Sequence, residues 1–401
     1  MLGLHRAARL LTGALAVALP SLTSAQAAHT LTSLDSAVFV TRLGADTLVI
    51  ERVISSPRHV EAEVAVRVPT TTRTTYVLEL SPSGTLERME ALTFDTTAGG
   101  KSPVRSEVIT RVGDSLRIES KGRDQQRTRG VAASASVLPF IDMVHWPYEI
   151  ALMRFRGSGA PSSAQPLLTG QRVADFKLAR VAADSMTITH PSRGTMRLRV
   201  DPAGRLLALD AGATTRKLTV ERRPWMPIDD IVRRWSAQDA AGRSLGALSG
   251  RARTTSTVGG ATISLDHGTP SKRGRTIWGA LVPFGSVWRT GANEATHFET
   301  DRDLVFGTGA DTLVVPAGRY TLFSVPERDG GWLIINRQTG QTGTAYDASQ
   351  DLGRVRLATR SLAAPVETFT IKAEPEGGSN LLRLQWDAAE RIVAFRVRPP
   401  K

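Results

Sequence analysis

Between Arg289 and Thr296 the chain sets Arg289, Thr290, Asn293, Glu294 and Thr296 among small residues. An arginine so placed can fork onto an anionic ligand, while Glu294 can serve as general base or hydrogen-bond acceptor. The same side chains can instead stitch a long loop to a sheet, with Thr290 and Asn293 satisfying backbone groups. A lone carboxylate without a second catalytic group beside it favours the binding or structural use. His297 and Glu299, two apart and so on one face of a strand, form a weak metal set with His267. Nothing orients either imidazole, and ordinary histidines are the simpler reading, so neither a metal nor a cofactor is expected. His145, Trp146 and Tyr148 are candidates for lining a ligand pocket, against the plainer role of an aromatic cluster where a helix meets a sheet.

The elements that carry these residues are strands. Val64, Val66 and Val68 alternate with Glu63, Ala65 and Arg67, and Met196, Leu198 and Val200 alternate with Arg197, Arg199 and Asp201. Period two predicts strands with one buried and one wetted face. Turns such as Ser81-Pro82-Ser83-Gly84 and Asp201-Pro202-Ala203-Gly204 close hairpins between them. Residues 28–222 therefore read as a curved antiparallel meander. The pattern is lost at Phe140–Arg154, where Pro147 suits a first helical turn and Tyr148–Phe155 continue it. A helix inserted there turns the meander into an open half-barrel with a plugged mouth. Residues 223–252 read as a helical and flexible linker: Pro224-Trp225-Met226-Pro227, an amphipathic helix over Ile228–Ala241, then a small, polar stretch. From 253 to 401, short strands separated by Pro-Ala-Gly, Asp-Gly-Gly and Glu-Gly-Gly turns predict an antiparallel β-sandwich, in which Phe369, Ile371, Leu382, Leu384 and Trp386 close the second sheet. The fold class is all-β in two domains.

At the amino terminus, His5, Arg6 and Arg9 precede the apolar run Leu10–Leu19 and the small-x-small site Ala25-Gln26-Ala27. This reads as a signal peptide, residues 1–27, with a mature chain from about Ala28 that is periplasmic or extracellular. No later segment reaches the roughly 20 apolar residues that a spanning helix needs. With no cysteine in 401 residues, an exported chain has neither disulfides nor thiolate metal sites and depends on packing alone. The formal charge of +13 is scattered along the strands, which argues against nucleic acid as a partner and for no more than a weak attraction to anionic envelope surfaces.

In order along the second half stand Lys272-Arg-Gly-Arg-Thr-Ile-Trp-Gly279, Trp288-Arg-Thr-Gly-Ala-Asn-Glu-Ala-Thr296, Val315-Pro-Ala-Gly-Arg-Tyr-Thr-Leu-Phe323, Trp332-Leu-Ile-Ile-Asn336, Tyr346-Asp347 and Leu384-Gln-Trp386. This set resembles the uncharacterised bacterial "domain of unknown function 2911", a resemblance that names a domain and no activity. His267 stands where that family usually has Tyr, Thr269 where Arg commonly precedes Pro270, and Thr342 where Trp is common. If an aromatic and a cation help to form a family site, the resemblance implies an altered site here. His-Glu-x-x-His zinc helices, P-loops and Rossmann fingerprints are absent from the sequence. The reading is an exported, non-enzymatic protein that binds an apolar or amphipathic small ligand. Its alternatives are a hydrolase of envelope polymers using Arg289, Asn293 and Glu294, and a structural or adhesive β-protein.

Overall fold

The computed structural model describes residues 35–96 and 102–399. The segment read as a signal peptide lies outside the described residues. The chain is nearly all-β, with two sheets and no closed barrel, as expected from its alternation and turn chemistry.

The first sheet has 15 strands. Most neighbours in sequence pair antiparallel, while Leu138–Pro139 runs parallel to Ser162–Thr169, and the sheet is not one simple run. Its first strand, Asp35–Leu43, pairs on one side with Asp46–Ser55 and on the other with the last strand, Thr219–Arg223. The meander is thus joined start to finish, and its free edges fall mid-chain, at Gln126–Ala132 and at Leu138–Pro139. Arg129 of the first edge reaches across to the carbonyl of Gly170 at 2.7 Å.

Helix α1, Trp146–Ser158, follows the second edge and buries Trp146, Tyr148, Ala151, Leu152 and Phe155 against the sheet. It touches both halves of the meander. Arg154 donates to the carbonyl of Gly84 at 2.5 Å, and Gly204 approaches so close that a Cβ there would lie 2.9 Å from Cβ of Arg156. The turns Ser81-Pro82-Ser83-Gly84 and Asp201-Pro202-Ala203-Gly204 thus both lie against this helix.

Helix α2, Asp229–Ala240, covers the other face of the first strands, where Ile228, Val232 and Trp235 pack on Val38, Val40, Ile50 and Ala65. The predicted wetted face is dry there for that reason: Ala65 is buried under α2, and Glu63 is buried between Arg52 and Arg73. On Gly194–Val200, which α2 does not reach, the alternation survives intact, with Met196, Leu198 and Val200 buried and Arg197 and Arg199 exposed.

The second sheet has nine strands. Two of them, Asp351–Glu376 and Ser379–Val397, are long enough to bend and fold the sheet on itself. Their register breaks between Ser361 and Val366, a stretch that holds Pro365. Proline lacks the N–H that a ladder needs, so the strand kinks there. The fold brings Phe369, Ile371, Leu382, Leu384 and Trp386 against Ile263, Leu265, Phe298, Leu322 and Leu333, the sandwich-like core expected from the sequence.

Candidate functional site

The two sheets meet where the turn Gly44-Ala45-Asp46 receives Arg273. The Arg273 guanidinium donates to Asp46 Oδ2 at 2.7 Å, and its carbonyl accepts from the amide of Ala45 at 3.1 Å. A Cβ on Gly44 would overlap that carbonyl, and Gly44 also holds φ +60°, so the close approach requires glycine. Arg273 belongs to the Lys-Arg-Gly-Arg block singled out in the sequence.

Beside this junction the loop from Gly285 to Thr296 is pinned at several points. The amide of Trp288 donates to the carbonyl of Ser324 at 2.7 Å, and the reverse bond is 2.9 Å. The Thr290 hydroxyl donates to Ser324 Oγ at 2.9 Å, and that of Thr296 donates to the Thr290 carbonyl at 2.7 Å. Ala292 sits directly on Gly268, where any Cβ would overlap its carbonyl. Trp288 stacks on Trp386, with ring centroids 6.0 Å apart, and meets Phe369 edge-on at 5.0 Å. Thr290 and Thr296 are therefore buried fasteners of the loop.

Arg289, Asn293 and Glu294 are placed differently. Asn293 holds φ +62° and is exposed, and its carbonyl accepts from the amide of Gly343 at 3.1 Å. Glu294 is also exposed, and among the described residues it makes no ion pair with Arg289. Arg289 lays its stem over Gly343, where a Cβ would stand 2.6 Å from Arg289 Cδ. Its guanidinium has no hydrogen-bond or ion-pair partner among the described residues, and burial holds its pKa below the usual value. The hydrolase constellation is thus not assembled as a unit.

Arg289 faces a cleft of about 590 Å³ between the sheets. One wall comes from the first sheet and carries Arg193, Arg216 and Lys217; the other comes from the second and carries Arg275 and Arg289. Leu43, Val68, Leu281, Trp288 and Trp386 give the cleft an apolar part, and among the described residues no carboxylate lines it. Arg193 and Arg216 both bind Asp142. Lys217 donates to the carbonyl of Gly212 at 2.9 Å, and Arg275 to that of Lys272 at 2.9 Å. Burial lowers the pKa of Lys217, and the charges of Arg275 and Arg289 lower it further. Such a cleft can bind a molecule with an anionic end and an apolar body. Sequence reasoning takes Arg289 alone of these cations as a site candidate: Arg275 stands unremarked within the Lys272–Gly279 block, and Arg193, Arg216 and Lys217 stand on loops of the first sheet with no motif around them.

The other sequence candidates lie away from this cleft. His145, Trp146 and Tyr148 are buried at the start of α1. The Glu51 carboxylate, fully buried on Asp46–Ser55, accepts from the amides of His145 at 2.8 Å and Trp146 at 3.1 Å, and its other oxygen lies 2.9 Å from His145 Nδ1. It thereby satisfies backbone N–H groups that the first turn leaves free. Tyr148 packs on Phe140 and Phe176.

The metal set is corrected by strand register. Asp266 pairs with His297 and Ser264 with Glu299, so His267 projects to the opposite face from both. His267 is buried there, its Nε2 accepting from the amide of Ile371 at 3.3 Å, and burial depresses its pKa to about 4. Among the described residues no group of three His, Cys, Asp or Glu side chains could hold a metal ion. One pattern escaped the sequence reading: Gly242-Arg243-Ser244-Leu245-Gly246 has the spacing of a nucleophile turn. It leads from a helix into a strand, the reverse of the strand-to-helix turn that presents such a serine.

Residues 249–395 match the model of a protein family of unknown function, DUF2911, as the sequence blocks implied. No curated protein matches the chain. Among solved structures, a DUF1089 family protein from Pseudomonas aeruginosa is similar at 12% identity and a TM-score of 0.29, over 41% of this chain and 90% of that one. A β-barrel-like protein of the DUF1849 domain from Brucella abortus is similar at 10% identity and a TM-score of 0.32, over 47% of this chain and 93% of that one. Among the described residues no helix is long and apolar enough to cross a membrane.

Proposed function

We propose that this chain is an exported, non-enzymatic binding protein whose inter-sheet cleft takes an amphipathic small ligand by its anionic end. The observation that carries the reading is Arg289, a half-buried guanidinium with no partner among the described residues, facing a cleft without carboxylates. Keeping a cation from both water and a counter-charge costs stability unless a ligand supplies that charge. The apolar wall formed by Leu43, Val68, Leu281 and Trp288 suits the body of such a molecule. Export rests on the leader-like residues 1–27 alone.

Native mass spectrometry of the protein purified from its own cells tests the reading. It predicts a copurifying adduct with the mass of an acidic amphiphile, lost on mild activation. A bare chain from every preparation, with no amphiphile bound on addition, contradicts it.

A further inference from the structure

Three of the five cations around the cleft differ from the other two. Arg193 and Arg216 share the carboxylate of Asp142, so that corner of the cleft is partly neutralised before any ligand arrives. Lys217, Arg275 and Arg289 have no carboxylate bonded to them among the described residues. Lys217 and Arg275 donate only to neutral backbone carbonyls, and Arg289 keeps all five of its N–H donors unused.

Resting on the reading above, we propose that the anionic end of the ligand is a phosphate-type dianion, held jointly by Lys217, Arg275 and Arg289. A single carboxylate offers one negative charge and two oxygens. It would leave two of these three cations uncompensated. A phosphate monoester above its second pKa, about 6, carries two negative charges and three terminal oxygens, one for each cation. The geometry agrees, since Lys217, Arg275 and Arg289 line one cleft. The three residues come from both sheets, so a dianion seated there bridges the walls of the cleft. Leu43 and Leu281, on opposite walls, leave an apolar side for the chain the phosphate carries. Inorganic phosphate presents the same chemistry without that chain.

Isothermal titration of the full mature chain at pH 8, in a buffer free of phosphate and below micelle formation, separates the cases. The probes are monododecyl phosphate, dodecanoate and inorganic phosphate. Monododecyl phosphate is expected to bind at least about tenfold tighter than either of the others. Arg289→Gln is expected to erase that preference, while Arg197→Gln, an exposed arginine outside the cleft, keeps it. Dodecanoate binding as tightly as monododecyl phosphate overturns the dianion seat and leaves the amphiphile reading standing. Inorganic phosphate binding as tightly as its dodecyl ester supports the seat and overturns the amphiphile. No binding by any probe overturns both.

Discussion

Arg273 of the second sheet and Asp46 of the first form an ion pair of 2.7 Å, with the Arg273 side chain only 8% exposed. Together with the bond from the Ala45 amide to the Arg273 carbonyl, it fastens the two walls of the cleft to each other. A guanidinium so enclosed cannot recover its lost hydration if the carboxylate is removed. Asp46→Ala is expected to destabilise the chain by about 1–3 kcal/mol in urea denaturation and to weaken ligand binding with it. Unchanged stability and affinity would show that the sheets are held together elsewhere.

Arg289 and Glu294 occupy one loop but not one interaction. Since no ion pair joins them, the Ala variants of each should change stability by less than about 1 kcal/mol, and the double variant should match their sum within about 0.5 kcal/mol. Thermal melts of the three proteins measure this. A coupling above about 1 kcal/mol would restore the loop-stitching role.

Glu149 gives the first sheet a pH dependence of its own. It is 6% exposed, bonded to Arg222 and to the amide of Leu206, and burial outweighs both in pushing its pKa from 4.5 to about 7. The native state then holds a proton that the unfolded chain has lost between those values. The contribution is complete below about 4.5 and is lost as pH rises through about 7, a change of order 3 kcal/mol. Glu149→Gln should flatten this fall when unfolding free energies are compared at pH 5 and pH 8. His190 and His267, whose pKa values burial depresses to about 4, act in the opposite direction and are common to both proteins. An equal slope in variant and parent would remove Glu149 from the account.

Export is tested at the amino terminus. Sequencing of the secreted or periplasmic protein should begin near Ala28. Protein that retains Met1 in the cytosol would overturn it.

Much of the fold was legible because period-two patterns and Pro-Gly turns are local. Met196, Leu198 and Val200 show this, and so does α1, announced by Pro147. Ala65 was misassigned to water because helix α2, which covers it, lies over 150 residues later, and Glu63 because its enclosure by Arg52 and Arg73 comes from neighbouring strands; alternation carries no record of either cover. Glu51 drew no notice in the sequence, since its task of holding the first turn of α1 depends on a helix 94 positions away. Of the cleft, the sequence candidates included Arg289 and Asn293. Lys217 and Arg275 gain their meaning from lying opposite one another, a relationship between loops on two sheets that spacing along the chain cannot express.

The central claim, that the ligand lies between the sheets, is met most directly by photocrosslinking with mapped peptides. A dodecyl phosphate carrying a diazirine at the far end of its chain should label residues beside the apolar wall, around Leu43 and Leu281–Trp288, and excess monododecyl phosphate should suppress the label. Labelling confined to the separate cavity of the first sheet, about 410 Å³ and lined by Tyr76, Met89 and Ile109, would contradict the account and move the ligand inside the half-barrel.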